Sequence, residues 1–126
     1  MTRYVLDTSF LVDHLRGDVA ATSVFRDRNE AGDEFAICSV SAAETWSGRS
    51  SERDAVDALL RYLEFLQPGP ATARLAGELR AAARDRGRTL ALPDALIAAT
   101  ALHVDAIVLT RNIRDFELTP ARVEVY

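Results

Sequence analysis

Short apolar runs of strand length alternate along this chain with longer segments of helical period, and this alternation limits the fold more than any other feature. Arg3 to Leu6, Glu34 to Ser39 and Ala106 to Thr110 read as strands, with Val123 to Tyr126 as an edge strand. Between the first two, Phe10, Leu11, Val12 and Leu15 mark the apolar face of a helix over Thr8 to Arg16, closed by Gly17. Asp18 is placed to cap a second helix, Val19 to Ala31, which Gly32-Asp33 breaks. Further helices are predicted over Ser41 to Gly48, over Asp54 to Leu66 and over Ala71 to Arg86. The second of these carries Val56, Leu59, Leu60, Leu63 and Leu66 at helical spacing, and Pro68-Gly69-Pro70 stops it. Pro93 suits the first turn of a helix reaching His103 that is apolar nearly all round, so it is expected at the centre of the fold. Strands separated by helices require crossover connections, which make parallel neighbours. No repeat, low-complexity tract or linker interrupts the pattern. The expectation is one α/β domain over residues 1–126, with a short, mostly parallel central sheet flanked by helices.

The bulk numbers remove several function classes. At 48% hydrophobic residues the chain has enough apolar surface for a core. Met1 to Asp7 lacks the long apolar centre of a signal sequence, and no apolar run is long enough to span a bilayer. Cys38 is the only cysteine, so no internal disulfide forms, which suits a cytoplasmic location. The net charge of -4 argues against a passive nucleic-acid binder. It does not argue against an enzyme that holds cations with carboxylates, because the metal supplies positive charge. All 15 basic residues are arginine, which excludes any mechanism that needs a lysine.

Four acids fall near element ends on one side of such a sheet, where ligands bind in open parallel folds. Asp7 ends the first strand, Glu44 follows the second, Asp94 opens the buried helix, and Asp115 follows the last core strand. Each has an alternative explanation by itself. Asp7 is placed to cap a helix, Ser41-Ala42-Ala43-Glu44 fits a capping box, Asp94 suits a helix dipole, and Asp115 suits an Asx-turn. Together in one cleft they would repel one another unless protons or cations enter. Hard oxygen ligands suit Mg²⁺ or Mn²⁺, and the matching chemistry is in-line attack of a metal-activated water on phosphorus.

The segments Leu6-Asp7-Thr8-Ser9, Ser41-Ala42-Ala43-Glu44, Leu92-Pro93-Asp94-Ala95-Leu96-Ile97-Ala98-Ala99-Thr100-Ala101 and Leu109-Thr110-Arg111-Asn112-Ile113-Arg114-Asp115-Phe116 carry a family resemblance. In their order and spacing the chain resembles the PIN domain, and specifically the VapC-type toxins of bacterial toxin–antitoxin modules. The resemblance implies a Mg²⁺- or Mn²⁺-dependent endoribonuclease acting on RNA. It implies a VapB-like antitoxin partner and a homodimer, assembling to a heterotetramer or larger with that antitoxin. It also implies Asp7 and Asp94 as the principal metal ligands, with Glu44 as ligand or water-orienting group. Many relatives carry an acid at or near the position of Asn112. Here Asn112 is an amide, so Asp115 is taken as the fourth acid.

Thr8, Ser9, Thr110, Arg111, Asn112 and Arg114 are expected as substrate contacts, with turn and cap chemistry as the alternative. Arg16, Arg84, Arg86 and Arg88 are further cationic candidates. His14 and His103 are read as structural, Cys38 as a buried apolar residue, and Trp46 as core or dimer packing. The helical stripes near Phe10 to Leu15 and Val56 to Leu66 suggest a groove for an antitoxin helix. Two other readings compete. An aspartyl-phosphate phosphatase fits an Asp at the end of the first strand. It lacks the second acid at Ser9 and the lysine that such sites use. A PIN-like domain that has lost catalysis and only binds RNA or a partner is kept open by Asn112.

Overall fold

The computed structural model describes all of residues 1–126. Five parallel strands form one sheet in the order β3-β2-β1-β4-β5. They are β1 (Arg3–Leu6), β2 (Glu34–Cys38), β3 (Glu64–Leu66), β4 (Ile107–Thr110) and β5 (Val123–Val125). Six helices connect them: α1 (Thr8–Leu15), α2 (Val19–Glu30), α3 (Ser39–Trp46), α4 (Arg53–Tyr62), α5 (Pro70–Asp85) and α6 (Leu92–His103). Two 3-10 turns, Ser50–Glu52 and Ile113–Phe116, complete the chain. The order of strands reverses direction at the β1–β4 pair, where Leu6 lies opposite Leu109. Parallel sheets gather ligands at such a point, at the carboxyl ends of the strands.

The period-two alternation of the strands sorts the core into two faces. Tyr4, Leu6, Phe35, Ile37 and Leu109 pack with Phe10, Leu11, Val56 and Leu60 on one face. Val5, Cys38 and Val108 pack with Ile97, Ala98 and Ala101 of α6 on the other. The outer side of α6 is covered in turn by α5, where Ala76 and Ala83 meet Ala95 and Ala99. Small residues at that contact let the two helices approach closely. A helix held between a sheet and a second helix has no solvent side, which is why α6 reads as apolar nearly all round.

The sequence anticipated the parallel α/β plan and all six helices, with boundaries shifted by one or two residues except at the end of α4. It missed β3. The run to Leu66 was read as helix, but α4 ends at Tyr62 and Leu63 is extended, with φ -95° and ψ 148°. Leu63 joins the core of one sheet face, and Leu66 packs on the other. A helix would have put both on one stripe. Pairing of Glu64–Leu66 with Ala36–Cys38 decides the outcome, and that is a tertiary interaction. The capping box is also absent. Helix α3 begins at Ser39, so Ser41 lies inside it and is fully buried.

Candidate active site at the carboxyl ends of the strands

Asp7 occupies the N-cap position of α1, but its side chain makes no cap hydrogen bond. Its Oδ2 instead accepts from Ser9 Oγ at 2.9 Å and from Thr110 Oγ1 at 2.7 Å. Each hydroxyl is in turn an acceptor. The Arg111 amide donates to Ser9 Oγ at 3.3 Å, and the Asn112 amide donates to Thr110 Oγ1 at 3.0 Å. Two hydroxyls therefore hold Asp7 and also fix the chain as it leaves β4. Asp7 itself is buried, so its carboxylate is oriented before anything binds.

Asp94 stands in the first turn of α6, half-buried, with no capping side chain before it. Burial first, and then like-charge repulsion from Asp115, Asp7 and Glu44, together push its carboxyl up from 3.8 to about 7. Asp115 is also raised, by desolvation and then by Asp7. The four acids thus feel one another in one region of the surface. Glu44 holds the outer edge, where its Oε1 accepts from Thr8 Oγ1 at 2.7 Å and links α3 to α1. A cavity of about 460 Å³ opens beside it, lined by Val12, Leu15, Arg16, Arg49 and Val56 among others.

The acids are near one another without forming a closed cage. No three of them stand together as a ready-made ligand cage. The donor set still fits a hard divalent cation. Mg²⁺ takes one or two carboxylates and fills its other positions with water and phosphate. Asp7 and Asp94 would be that pair, and the repulsion that raises Asp94 is what a cation would relieve.

The remaining expected contacts divide. Thr8, Ser9 and Thr110 hold acids of the site rather than standing free. Arg111 is paired through Nη1 with Asp13 at 2.8 Å. Asn112 caps the 3-10 turn that carries Asp115, with its backbone rather than its side chain. Arg114 is exposed and makes no ion pair. Arg84 and Arg88 line a small cleft with Arg80, while Arg86 donates to the Leu118 carbonyl. Trp46 is neither core nor buried. It is 40% exposed, and its Nε1 donates to Asp57 at 2.8 Å. His14 is stacked on Phe10 and tilted against Phe25, and His103 bonds Thr72 at 2.7 Å. Cys38 is buried and unbridged.

Asp13 and Tyr126 join the site region without having been among the expected residues. Asp13 is buried in α1, and its Oδ2 accepts from the Tyr126 hydroxyl at 2.6 Å. A charge inside the apolar run Phe10 to Leu15 was the available signal for Asp13, whereas nothing in the sequence marked Tyr126. A second feature is an open apolar groove of about 600 Å³ between α1, α2 and α4, lined by His14, Leu15, Phe25, Ala58, Leu59 and Tyr62 among others.

Comparison with known proteins accords with this geometry. The PIN domain profile matches residues 4–121. Over 117 residues the chain is 36% identical to Ribonuclease VapC19 of Mycobacterium tuberculosis, covering 92% of this chain and 94% of that one. The fold superimposes on VapBC2 from Rickettsia felis, solved bound to a DNA fragment from their promoter. That match has a TM-score of 0.85 and 23% identity, and covers 99% of each chain. A toxin–antitoxin complex from Klebsiella pneumoniae matches with a TM-score of 0.79 and 26% identity, covering 96% of this chain and 95% of that one. The chain belongs to the PIN domain family and is a homologue of the VapC-type ribonucleases.

Proposed function

We propose that this protein is a Mg²⁺- or Mn²⁺-dependent endoribonuclease, the toxin of a VapBC-type toxin–antitoxin module. The observation that carries the reading is Asp94. A carboxylate half-buried beside Asp115, Asp7 and Glu44 is a poor arrangement for stability and a good one for a cation-dependent phosphodiesterase. The homology to named ribonucleases gives the substrate class. Asp7 and Asp94 hold the cation, Glu44 and Asp115 orient water, and Ser9 and Thr110 keep Asp7 in place. A bound divalent cation supplies Lewis-acid charge that activates water and neutralises the phosphoryl oxygens. Arg114, which has no carboxylate partner, and Arg16 beside Glu44 are the cationic contacts for the RNA backbone. The chain itself has no helix long and apolar enough to cross a membrane, and the reading places its action in the cytoplasm.

The partner is a VapB-like antitoxin, as in the complexes that share this fold. Its apolar helix fits the groove between α1, α2 and α4, which ends close to the cavity beside Glu44. Occupation of the groove by one antitoxin per toxin, with toxins paired, gives a heterotetramer or larger. A second reading, a catalytically weak PIN-like binding module, is favoured by one observation, the lack of a three-acid cage. Incubation of the purified chain with total RNA, with Mn²⁺ and with EDTA, separates the two. The nuclease reading expects discrete new RNA ends with Mn²⁺ only, and intact RNA in both arms would reject it.

A further inference from the structure

The chain leaves β4 at Thr110 and must carry Asp115 back over the ends of the strands. That exit has little backbone support of its own. The Arg111 amide bonds a serine hydroxyl, the Asn112 amide bonds a threonine hydroxyl, and the Asp115 amide bonds the Asn112 carbonyl at 3.1 Å. The strongest tie is a side-chain one. Asp13 has only 9% of its side chain exposed, and both of its oxygens are engaged, Oδ1 by Arg111 Nη1 at 2.8 Å and Oδ2 by the Tyr126 hydroxyl at 2.6 Å. Burial, and then the bond to Asp13, push the Tyr126 phenol well above its usual range, so it remains the donor. Asp13 lies on the same short helix that Asp7 begins. One rigid element thus bears an acid of the site at its start and, less than two turns later, the carboxylate that grips the segment bearing Asp115.

We infer that Asp13 is a positioning residue: by clamping Arg111 and Tyr126 it holds the Thr110–Asp115 segment against α1 and so sets the spacing of Asp115 from Asp7. Arg111 then serves the site through Asp13 and not by touching RNA, contrary to its expected role as a substrate contact. The structural part of this inference stands alone, and its catalytic part rests on the nuclease reading above.

The test uses the full chain with Asp13→Asn, Arg111→Gln and the double variant. Amide hydrogen exchange is read at Arg111, Asn112 and Asp115, and steady-state cleavage of a short labelled RNA is followed with Mn²⁺. Each single variant is expected to speed exchange at those amides by about tenfold or more, the equivalent of losing one hydrogen bond to a charged group, with α5 unchanged. It is expected to lower kcat by about 10-fold with KM within twofold, since displacement of a catalytic group costs turnover rather than binding. The double variant should be no worse than Asp13→Asn alone, because that change already removes the charged contact that Arg111→Gln removes. Unchanged exchange overturns the clamp. A rise in KM at constant kcat for Arg111→Gln alone overturns the positioning role, because it marks a direct RNA contact. Exchange needs neither metal nor RNA, so a wild-type chain that cleaves nothing rejects the nuclease reading and still leaves the clamp decided.

Discussion

Thr110 Oγ1 donates to Asp7 Oδ2 at 2.7 Å across 103 residues of sequence, joining the carboxyl ends of β4 and β1. The bond is fully buried on the threonine side and lies at the reversal of strand order. Through it the sheet orients the carboxylate on which the proposed chemistry depends.

Thr110→Val keeps the branched shape and removes the hydroxyl. Asp7 then loses one of two donors, and the Asn112 amide loses its acceptor. The expected cost is about 1–3 kcal/mol in stability by denaturant titration. RNA cleavage should fall about 10- to 100-fold, as for loss of a group that supports a metal ligand. Thr110→Ser should retain most of both. Wild-type cleavage by the valine variant would show that the hydroxyl does not orient Asp7.

Asp7→Asn and Asp94→Asn should each remove metal-dependent RNA cleavage beyond the roughly 10- to 100-fold loss of a supporting group. Circular dichroism should show both variants folded. If either cuts RNA at the wild-type rate, the two-carboxylate assignment is wrong.

Asp94 also ties stability to pH. Its folded value of about 7 lies above its unfolded 3.8, so between them the native state holds a proton that the unfolded chain has released. Stability should therefore fall as pH rises through that window in metal-free buffer and level off above it, with Asp115 adding in the same direction. Asp94→Asn should melt higher than wild type at pH 8 and converge with it near pH 4. Mn²⁺ should raise the wild-type Tm at pH 8 and leave that of the variant almost unmoved. A lower Tm for Asp94→Asn at pH 8 would contradict the electrostatic account.

The groove between α1, α2 and α4 gives a prediction about the partner. Ala58 is exposed on its wall, so Ala58→Arg fills the groove without disturbing the core. Co-expression of the neighbouring small antitoxin should relieve growth arrest by the wild-type chain and fail to relieve that by the variant. Full relief for both would mean that the antitoxin docks elsewhere.

What was legible in the sequence follows the range of the forces involved. Periodicity reports which face of an element is buried, so α1, α5 and the enclosed α6 were readable, as was the parallel sheet that crossovers impose. At Leu63 to Leu66 the same spacing served two structures, and the sheet edge chose between them. The motifs around the acids mark all four, but the capping alternatives for Asp7 and Glu44 failed only in three dimensions. Asp7 sits at a cap position and turns its carboxylate to Ser9 and Thr110 instead. Glu44 bonds Thr8 of another helix and not its own N-terminus.

By itself the sequence determined the family, the alternation of helices with every strand but β3, and the four acids as candidates for the site. Only the tertiary structure decided how those acids stand toward one another. It raised Asp94 by burial among like charges and paired the solvent-facing Arg111 with the buried Asp13. The reason is physical. Local pattern fixes what an element buries, whereas the charge state and pairing of a side chain depend on atoms that arrive from distant parts of the chain.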